Sequence, residues 1–376
     1  MAVKDSVLQA LLQNRNNYIS GEKLSEKLGV SRAAVWKAIR SLREAGYRVD
    51  AVTNRGYCLL DRQALLSAEE IRRFLPAKYR GNKIYVYEVL DSTNNKARQI
   101  AVGGSSDTVG SFHDAVGGSS DTVRGSSDAM GVFSNTASVS ANANGSREHA
   151  SAGVHGTVVA ALQQTAGKGR LGRGFFSPTE GVYLSIIVKP DFDLSKSVLV
   201  TVATAAAVAE AVDEICGQKQ ETMIKWVNDV YLNGGKICGI LTEGITDFES
   251  GQIDHLVIGI GINTSLEGFP EELLQTAAAV EGDYSRSELA AGIICRVLDY
   301  LENIEDRTFM DTYRKKSFLV GRDVHVFKGT YRKDPAKELS GIPARVLGID
   351  ENGGLQVIYT DGSRETLTTG EVTIRI

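Results

Sequence analysis

Apolar residues recur at helical spacing in three short runs near the start of the chain, Ser6 to Gln13, Gly21 to Leu28 and Ser31 to Ala45. Ser31 stands at the N-cap position of the third run and Gly46 just past its end, the places where a hydroxyl and a glycine start and stop a helix. Val35, Ile39 and Leu42 share one face of that helix, while Arg32, Lys37, Arg40 and Arg43 fall largely elsewhere. Two further runs, Tyr47 to Val52 and Tyr57 to Leu60, flank the hairpin signal Asn54-Arg55-Gly56. Three short helices and a two-stranded wing describe a winged helix-turn-helix over residues 1–62. In that geometry Arg32, Ala33, Trp36, Lys37 and Arg40 belong to the helix that enters the major groove, and Arg55 lies near a phosphate or the minor groove. Two alternatives stay open: Trp36 packed under the wing, and a protein-docking helical domain with a similar charged face.

Ser67 and Glu70 form a capping-box pattern that opens a helix through Phe74, which leaves Asp61 to Leu66 as a linker. Beyond it, Lys83 to Leu90, Thr157 to Leu162, Tyr183 to Val188, Met223 to Val227, Ile237 to Thr242 and His255 to Ile262 read as strands. Helical patterns run from Ser195 to Cys216 and from Arg286 to Glu305. The mixture predicts a central mixed sheet covered by helices over residues 67–316, so the chain is α/β (α+β) and multidomain. From Leu319 apolar and polar residues alternate, with turn signals at Asp350 to Gly354 and Asp361-Gly362. Residues 319–376 therefore read as a small SH3-like β-barrel.

Residues 102–153 break these patterns. AVGGSSDTV occurs at Ala101 to Val109 and again at Ala115 to Val123, and GSSD returns at Gly125 to Asp128. Ser, Gly, Ala and Asn dominate, a composition that buries too little apolar surface to order itself. The segment reads as a disordered insertion whose length costs the surrounding domain little, because loop closure scales only logarithmically.

Charge sharpens the division. Residues 1–60 carry ten Lys or Arg against five Asp or Glu, a net of +5 that leaves −9 on the rest of a chain whose total is −4. The basic end is thus the candidate nucleic-acid module. No run has the length of a membrane span and no basic start precedes an apolar run, so a cytoplasmic protein is expected. The four cysteines include no CxxC pair, which excludes a disulfide framework or a structural zinc site.

Candidate chemistry begins with GKGRLGRGFFSP, Gly167 to Pro178. Four glycines let backbone N–H groups approach a ligand closely, and Lys168, Arg170 and Arg173 supply cations suited to phosphate or carboxylate. The run lacks the Lys-Ser/Thr ending of a P-loop and the strand-to-helix setting of a dinucleotide fingerprint. By itself it could equally be a basic linker or an RGG-like nucleic-acid contact.

Taken in order, DSTNNKAR (Asp91 to Arg98), QTAGKGRLGR (Gln164 to Arg173), KWVND (Lys225 to Asp229), KICGILTE (Lys236 to Glu243) and GIGINTS (Gly259 to Ser265) resemble the biotin protein ligases. With the winged helix, the resemblance is to the bifunctional type, ligase and biotin operon repressor in one polypeptide. It implies the fold shared with class II aminoacyl-tRNA synthetases, activation of biotin by ATP and Mg²⁺ to an adenylate, and transfer to a lysine of a biotin carboxyl carrier protein. It also implies a homodimer on operator DNA once the adenylate is bound.

By the same resemblance Arg170, Arg173 and Lys236 are catalytic. Ser92, Thr93, Asn94, Gln164, Lys168, Arg170, Lys236 and Gly259 meet biotin, although Ser92 could simply cap its helix. Arg173, Phe175, Lys225, Asn228, Asp229, Asn263, Glu371 and Arg375 serve ATP, with Asp229 also a Mg²⁺ ligand. Leu171 and Phe175 depart from the family pattern, which often has Arg and Trp there. The other readings are a non-catalytic biotin-sensing repressor and a ligase for lipoate or another small acid.

Overall fold

The computed structural model describes residues 3–14, 17–44, 47, 49–59, 66–103, 153–192, 197–217, 221–247, 249, 252–327, 341–368 and 371–373. The repeat-bearing insertion, Gly46, most of the expected linker and Arg375 lie outside them.

Helices α1 (Val3–Gln13), α2 (Gly21–Leu28) and α3 (Arg32–Glu44) pack through Val7, Leu11, Leu24, Val35, Ile39 and Leu42, as the apolar spacing requires. The Ser31 hydroxyl accepts from the Ala34 N–H at 3.2 Å, which confirms the cap. Strands β1 (Val49–Val52) and β2 (Gly56–Leu59) form the wing; β1 starts two residues later than expected and β2 one residue earlier, and Arg48 and Leu60 lie outside the described residues. At its tip Asn54 takes the left-handed conformation that its hairpin signal anticipates.

Ser67 caps helix α4 (Ala68–Phe74), but the capping box is only half made. Ser67 N–H donates to Ser287 Oγ at 3.1 Å instead, and Glu70 accepts from the Tyr47 hydroxyl of the winged helix. Leu66, expected in the linker, is buried in the core of the central domain.

The central sheet runs in the order β3-β4-β5-β9-β8-β7-β6, built from β3 (Ile84–Leu90), β4 (Thr157–Gln164), β5 (Gly181–Val188), β6 (Met223–Lys225), β7 (Asp229–Leu232), β8 (Gly235–Thr246) and β9 (Ile253–Asn263). Only β3 and β4 are parallel, so the sheet is mixed as expected. The expected strand Met223 to Val227 ends at Lys225, where the chain turns through Trp226 to Asn228.

Alternation along the strands assigns two jobs to the two faces. Val158, Ala160, Leu184, Ile186, Ile258 and Ile260 face the main core under α6 (Ser197–Cys216), a helix buried on nearly all sides, with α8 (Arg286–Glu302) beside it. Each such Val, Leu or Ile contributes about 1.5–3 kcal/mol on burial. Val159, Ile187 and Val257 face the other way, toward Ala97 of α5 (Thr93–Ala101). On that second face small residues replace large ones as the strands run on.

The helix expected from Arg286 to Glu305 stops at Glu302 and is followed by a 3₁₀ turn, Ile304–Asp306. Two helices the periodicity did not signal, the short α7 (Glu271–Leu274) and α9 (Phe309–Lys316), complete the domain. The C-terminal strands β10 (Asp323–Phe327), β11 (Ile342–Ile349), β12 (Leu355–Tyr359), β13 (Arg364–Leu367) and β14 (Glu371–Thr373) form one antiparallel sheet in the order β13-β12-β11-β10-β14. Among the described residues no helix is long and apolar enough to cross a membrane.

Candidate active site

Three neighbouring strands make the floor of the site. Register places Ser185 of β5 beside Gly259 of β9, which is beside Leu241 of β8, and the next row is Tyr183, Gly261 and Gly239. A Cβ on Gly259 would fall 2.2 Å from Asn94 Oδ1, and one on Gly261 would fall 2.5 Å from the Phe175 ring. The missing side chains are therefore what admits α5 and the glycine-rich loop to the sheet. Gly259 lies mid-strand with its backbone in the ladder, so its contribution to the pocket is that room.

Above the first row lies a polar pocket lined by Ser92, Thr93, Asn94, Gln164 and Phe175, with one cation, Lys168. Ser92 occupies the N-cap position of α5 but makes no capping side-chain bond, so capping does not account for its buried hydroxyl. Gln164 Oε1 accepts from Thr93 N–H at 2.8 Å, and Gln164 Nε2 donates to Ser177 Oγ at 3.0 Å. Asn94 is occupied by protein. Its amide donates to Glu243 Oε2 at 2.7 Å, and Ser185 Oγ lies 2.6 Å from its Oδ1. Asn94 thus joins β5, β8 and α5 and holds the floor in register. Neither Ser185 nor Glu243 was singled out from the sequence, although a lone hydroxyl inside the apolar run Tyr183 to Val188 was the available signal.

The glycine-rich loop joins β4 to β5 and closes on itself. Phe175 N–H donates to the Gly167 carbonyl at 2.8 Å, and Gly169 N–H to the Arg173 carbonyl at 2.7 Å. Leu171 takes a left-handed conformation at its turn and is exposed. Lys168 Nζ reaches back to Asn95 Oδ1 at 2.6 Å. Asn95 also donates to Asp91, which holds that carboxyl below the usual carboxylate range.

On the other side of the Phe175 ring is a cleft of about 120 Å³ lined by Arg170, Arg173, Lys225, Asn228, Asp229 and Lys236. Lys236 Nζ pairs with Asp229 Oδ1 at 2.7 Å, and Arg170 donates to Asn228 Oδ1 at 3.1 Å. Asn263 Nδ2 donates to the Lys236 and Ala278 carbonyls at 3.2 and 3.3 Å. Its buried Oδ1 has no partner, which leaves an acceptor ready for a ligand donor such as an exocyclic amine. Cys238, near Lys236 in β8, is a buried thiol that burial keeps protonated. Glu371 pairs through its backbone with Phe327; its side chain, like all of Arg375, is outside the described residues.

The arrangement juxtaposes a hydrogen-bonding pocket and a strongly cationic cleft that share Lys168 and the Phe175 ring. Among the described residues Asp229 is the one carboxylate that lines the cleft, and no group of three His, Cys, Asp or Glu could hold a metal ion unaided. That donor set fits a cation that takes most of its oxygens from water and phosphate.

In the winged helix Arg32, Ala33, Trp36, Lys37 and Arg40 are all exposed along α3. Trp36, 57% exposed, does not pack under the wing. Arg55 lies over the Tyr18 ring, 5.6 Å from its centroid, at the wing's tip.

A winged helix with an exposed basic face, joined to a sheet that sets cations beside a hydrogen-bonding pocket, defines a DNA-binding protein fused to a small-acid ligase. Comparison with known proteins agrees. The HTH domain family matches residues 4–58, and the Biotin/lipoate A/B protein ligase family matches residues 140–263. The chain is 30% identical to the Bifunctional ligase/repressor BirA of Bacillus subtilis (strain 168), covering 96% of each chain. It is 28% identical to the protein of the same name from Escherichia coli (strain K12), covering 98% of this chain and 96% of that one. A biotin protein ligase from Aquifex aeolicus, solved in complex with biotin and ATP, shares the fold at TM-score 0.53 and 22% identity, over 78% of this chain and 98% of its own. The chain belongs to the family of bifunctional biotin ligase/repressors.

Proposed function

We propose that this chain activates biotin with ATP to biotinyl-5′-AMP, transfers the biotinyl group to one lysine of a biotin carboxyl carrier protein, and represses biotin genes as an adenylate-bound homodimer on operator DNA in the cytoplasm. The observation that carries the reading is the cationic cleft, with Lys168, Arg170, Arg173, Lys225 and Lys236 on its walls, opening beside the hydrogen-bonding pocket of Ser92, Thr93 and Gln164.

In the first step a carboxylate oxygen of biotin attacks the α-phosphorus. The bond from that phosphorus to the bridging oxygen breaks and pyrophosphate leaves. Both reactants are anions, so the chief need is positive charge fixed around the phosphorus before reaction. Arg170 and Lys236 suit the carboxylate and α-phosphate, and Arg173 and Lys225 the outer phosphates. The ureido ring, with two donors and one acceptor, suits the mixed polar groups of the first pocket. Asp229 would give one oxygen to a Mg²⁺ carried on the phosphates, where the ion supplies charge neutralisation. In the second step a neutral lysine amine attacks the acyl carbon, the bond from that carbon to the AMP oxygen breaks, and the amine proton passes to solvent.

Biotin-dependent ATP–pyrophosphate exchange tests the ligase assignment, with lipoate as the competing acid. Exchange with lipoate but not biotin would reassign the substrate, and none with either would leave a biotin-sensing repressor as the reading.

For the DNA-binding role, Lys37→Ala is expected to weaken operator binding and to reduce the slope of log affinity against log salt by about one. A slope unchanged in Lys37→Ala, and likewise in Arg32→Ala and Arg40→Ala, would remove α3 as the DNA-contacting surface.

A further inference from the structure

Among the described residues, Trp226 joins the C-terminal sheet to the wall of the cationic cleft. Trp226 lies between Lys225 and Asn228 in sequence, is 4% exposed, and donates its indole N–H to the Gly353 carbonyl at 2.9 Å. The next carbonyl, that of Val227, accepts from the fully buried hydroxyl of Tyr313 in α9 at 3.1 Å. These two bonds fix the pair of residues immediately before Asn228 and Asp229.

The partner turn is itself rigidly held. Asp350 Oδ1 accepts from the N–H groups of Asn352 and Gly354 at 2.8 and 2.7 Å. Arg314 of α9 donates to the Ile349 carbonyl at 3.2 Å and pairs with Glu351 at 2.9 Å, while Arg307 donates to the Glu351 carbonyl at 3.0 Å. Gly353, at φ +80°, lies so close to α6 that a Cβ would come within 2.8 Å of Val202. A turn braced at this many points can hold the indole in one place. A buried indole N–H needs an acceptor; here the C-terminal sheet supplies it from 127 residues away, which ties that sheet to the wall of the cleft.

We infer that the Asp350–Gly354 turn is a positioning element of the nucleotide cleft, and that Trp226 is the positioning residue through which it sets Lys225, Asn228 and Asp229. The inference rests on reading that cleft as the ATP site. The first pocket is lined from the start of α5, from β4, β8 and β9 and from the glycine-rich loop, and neither brace touches it directly. The link reaches biotin only through Arg170 and Lys236, which pair with Asn228 and Asp229, so it acts on nucleotide more than on biotin.

The test uses the full chain and Trp226→Phe, which keeps an aromatic ring and deletes the N–H. Calorimetric titrations would follow α,β-methylene-ATP at saturating biotin, and biotin alone. The expected result is a loss of nucleotide affinity of about fivefold with a clearly smaller loss for biotin. Arg314→Met, which loosens the turn from its other side, is expected to weaken nucleotide binding in the same selective way, and the double variant to lose less than the product of the two. Unchanged nucleotide affinity, or equal loss for both ligands, overturns the inference; should Trp226→Phe not fold, Arg314→Met decides it by the same criterion. Exchange assayed in parallel separates the two claims. An intact chain without biotin-dependent exchange overturns the assigned reaction, whereas a nucleotide-selective loss is read from binding alone.

Discussion

Lys236→Ala is expected to lower biotin-dependent ATP–pyrophosphate exchange by about 10²- to 10³-fold, equivalent to roughly 3–4 kcal/mol of transition-state stabilisation. The side chain is anchored at the start of β8, just past a tight turn, and its ammonium group reaches Asp229 across the cleft. Substitution removes a preorganised cation and leaves the Asp229 carboxylate facing the phosphates with no counter-charge at that place. Both changes raise the barrier in the same direction. Steady-state exchange at saturating biotin reads the effect. A variant that kept its maximal rate and lost only biotin affinity would make Lys236 a binding group and move the catalytic charge to Arg170 and Arg173.

Gly259→Ala is expected to weaken biotin binding about 10- to 100-fold while the chain still folds. The added methyl would land 2.2 Å from Asn94 Oδ1, and Asn94 cannot retreat freely because Ser185, Leu241 and Glu243 all hold it. Overpacking of this kind costs about 1–3 kcal/mol, spent on displacing α5 and with it Ser92 and Thr93. Calorimetric titration with biotin measures the loss. Gly81→Ala, where an added Cβ meets nothing within 4 Å, is the control. Equal biotin affinities in the two variants would show that the pocket does not depend on the fit of Asn94 to β9.

The division into winged helix, mixed sheet and C-terminal sheet was legible because each carries its own periodicity over many residues. So were the cations of the cleft, since the glycines and basic residues that bring them together sit in short contiguous motifs. Other features were not. The four-residue strand Asp229–Leu232 is too short to show alternation, and its start coincides with a motif read as the end of the preceding strand. Helix Phe309–Lys316 is mostly polar and too brief for a clear stripe. The roles of Asn94 and Trp226 depend on partners brought near by tertiary packing, Glu243 in one case and Gly353 in the other. No local pattern encodes such pairings.

The parallel pairing of β3 with β4 has a consequence for the architecture of the gene product. Leu90 pairs with Gln164 at the end that bears the pocket, and Ile84 with Val158 at the opposite end. Helix α5 runs back from Thr93, so the chain leaves at Gly103 and is described again from Gly153 beside the start of β4. The beginning of that strand stands about 23 Å from Gln164, seven residues at strand rise. The two ends of the described chain, Gly103 and Gly153, thus stand away from the pocket, and a change of sequence between them need not rewrite the reaction centre.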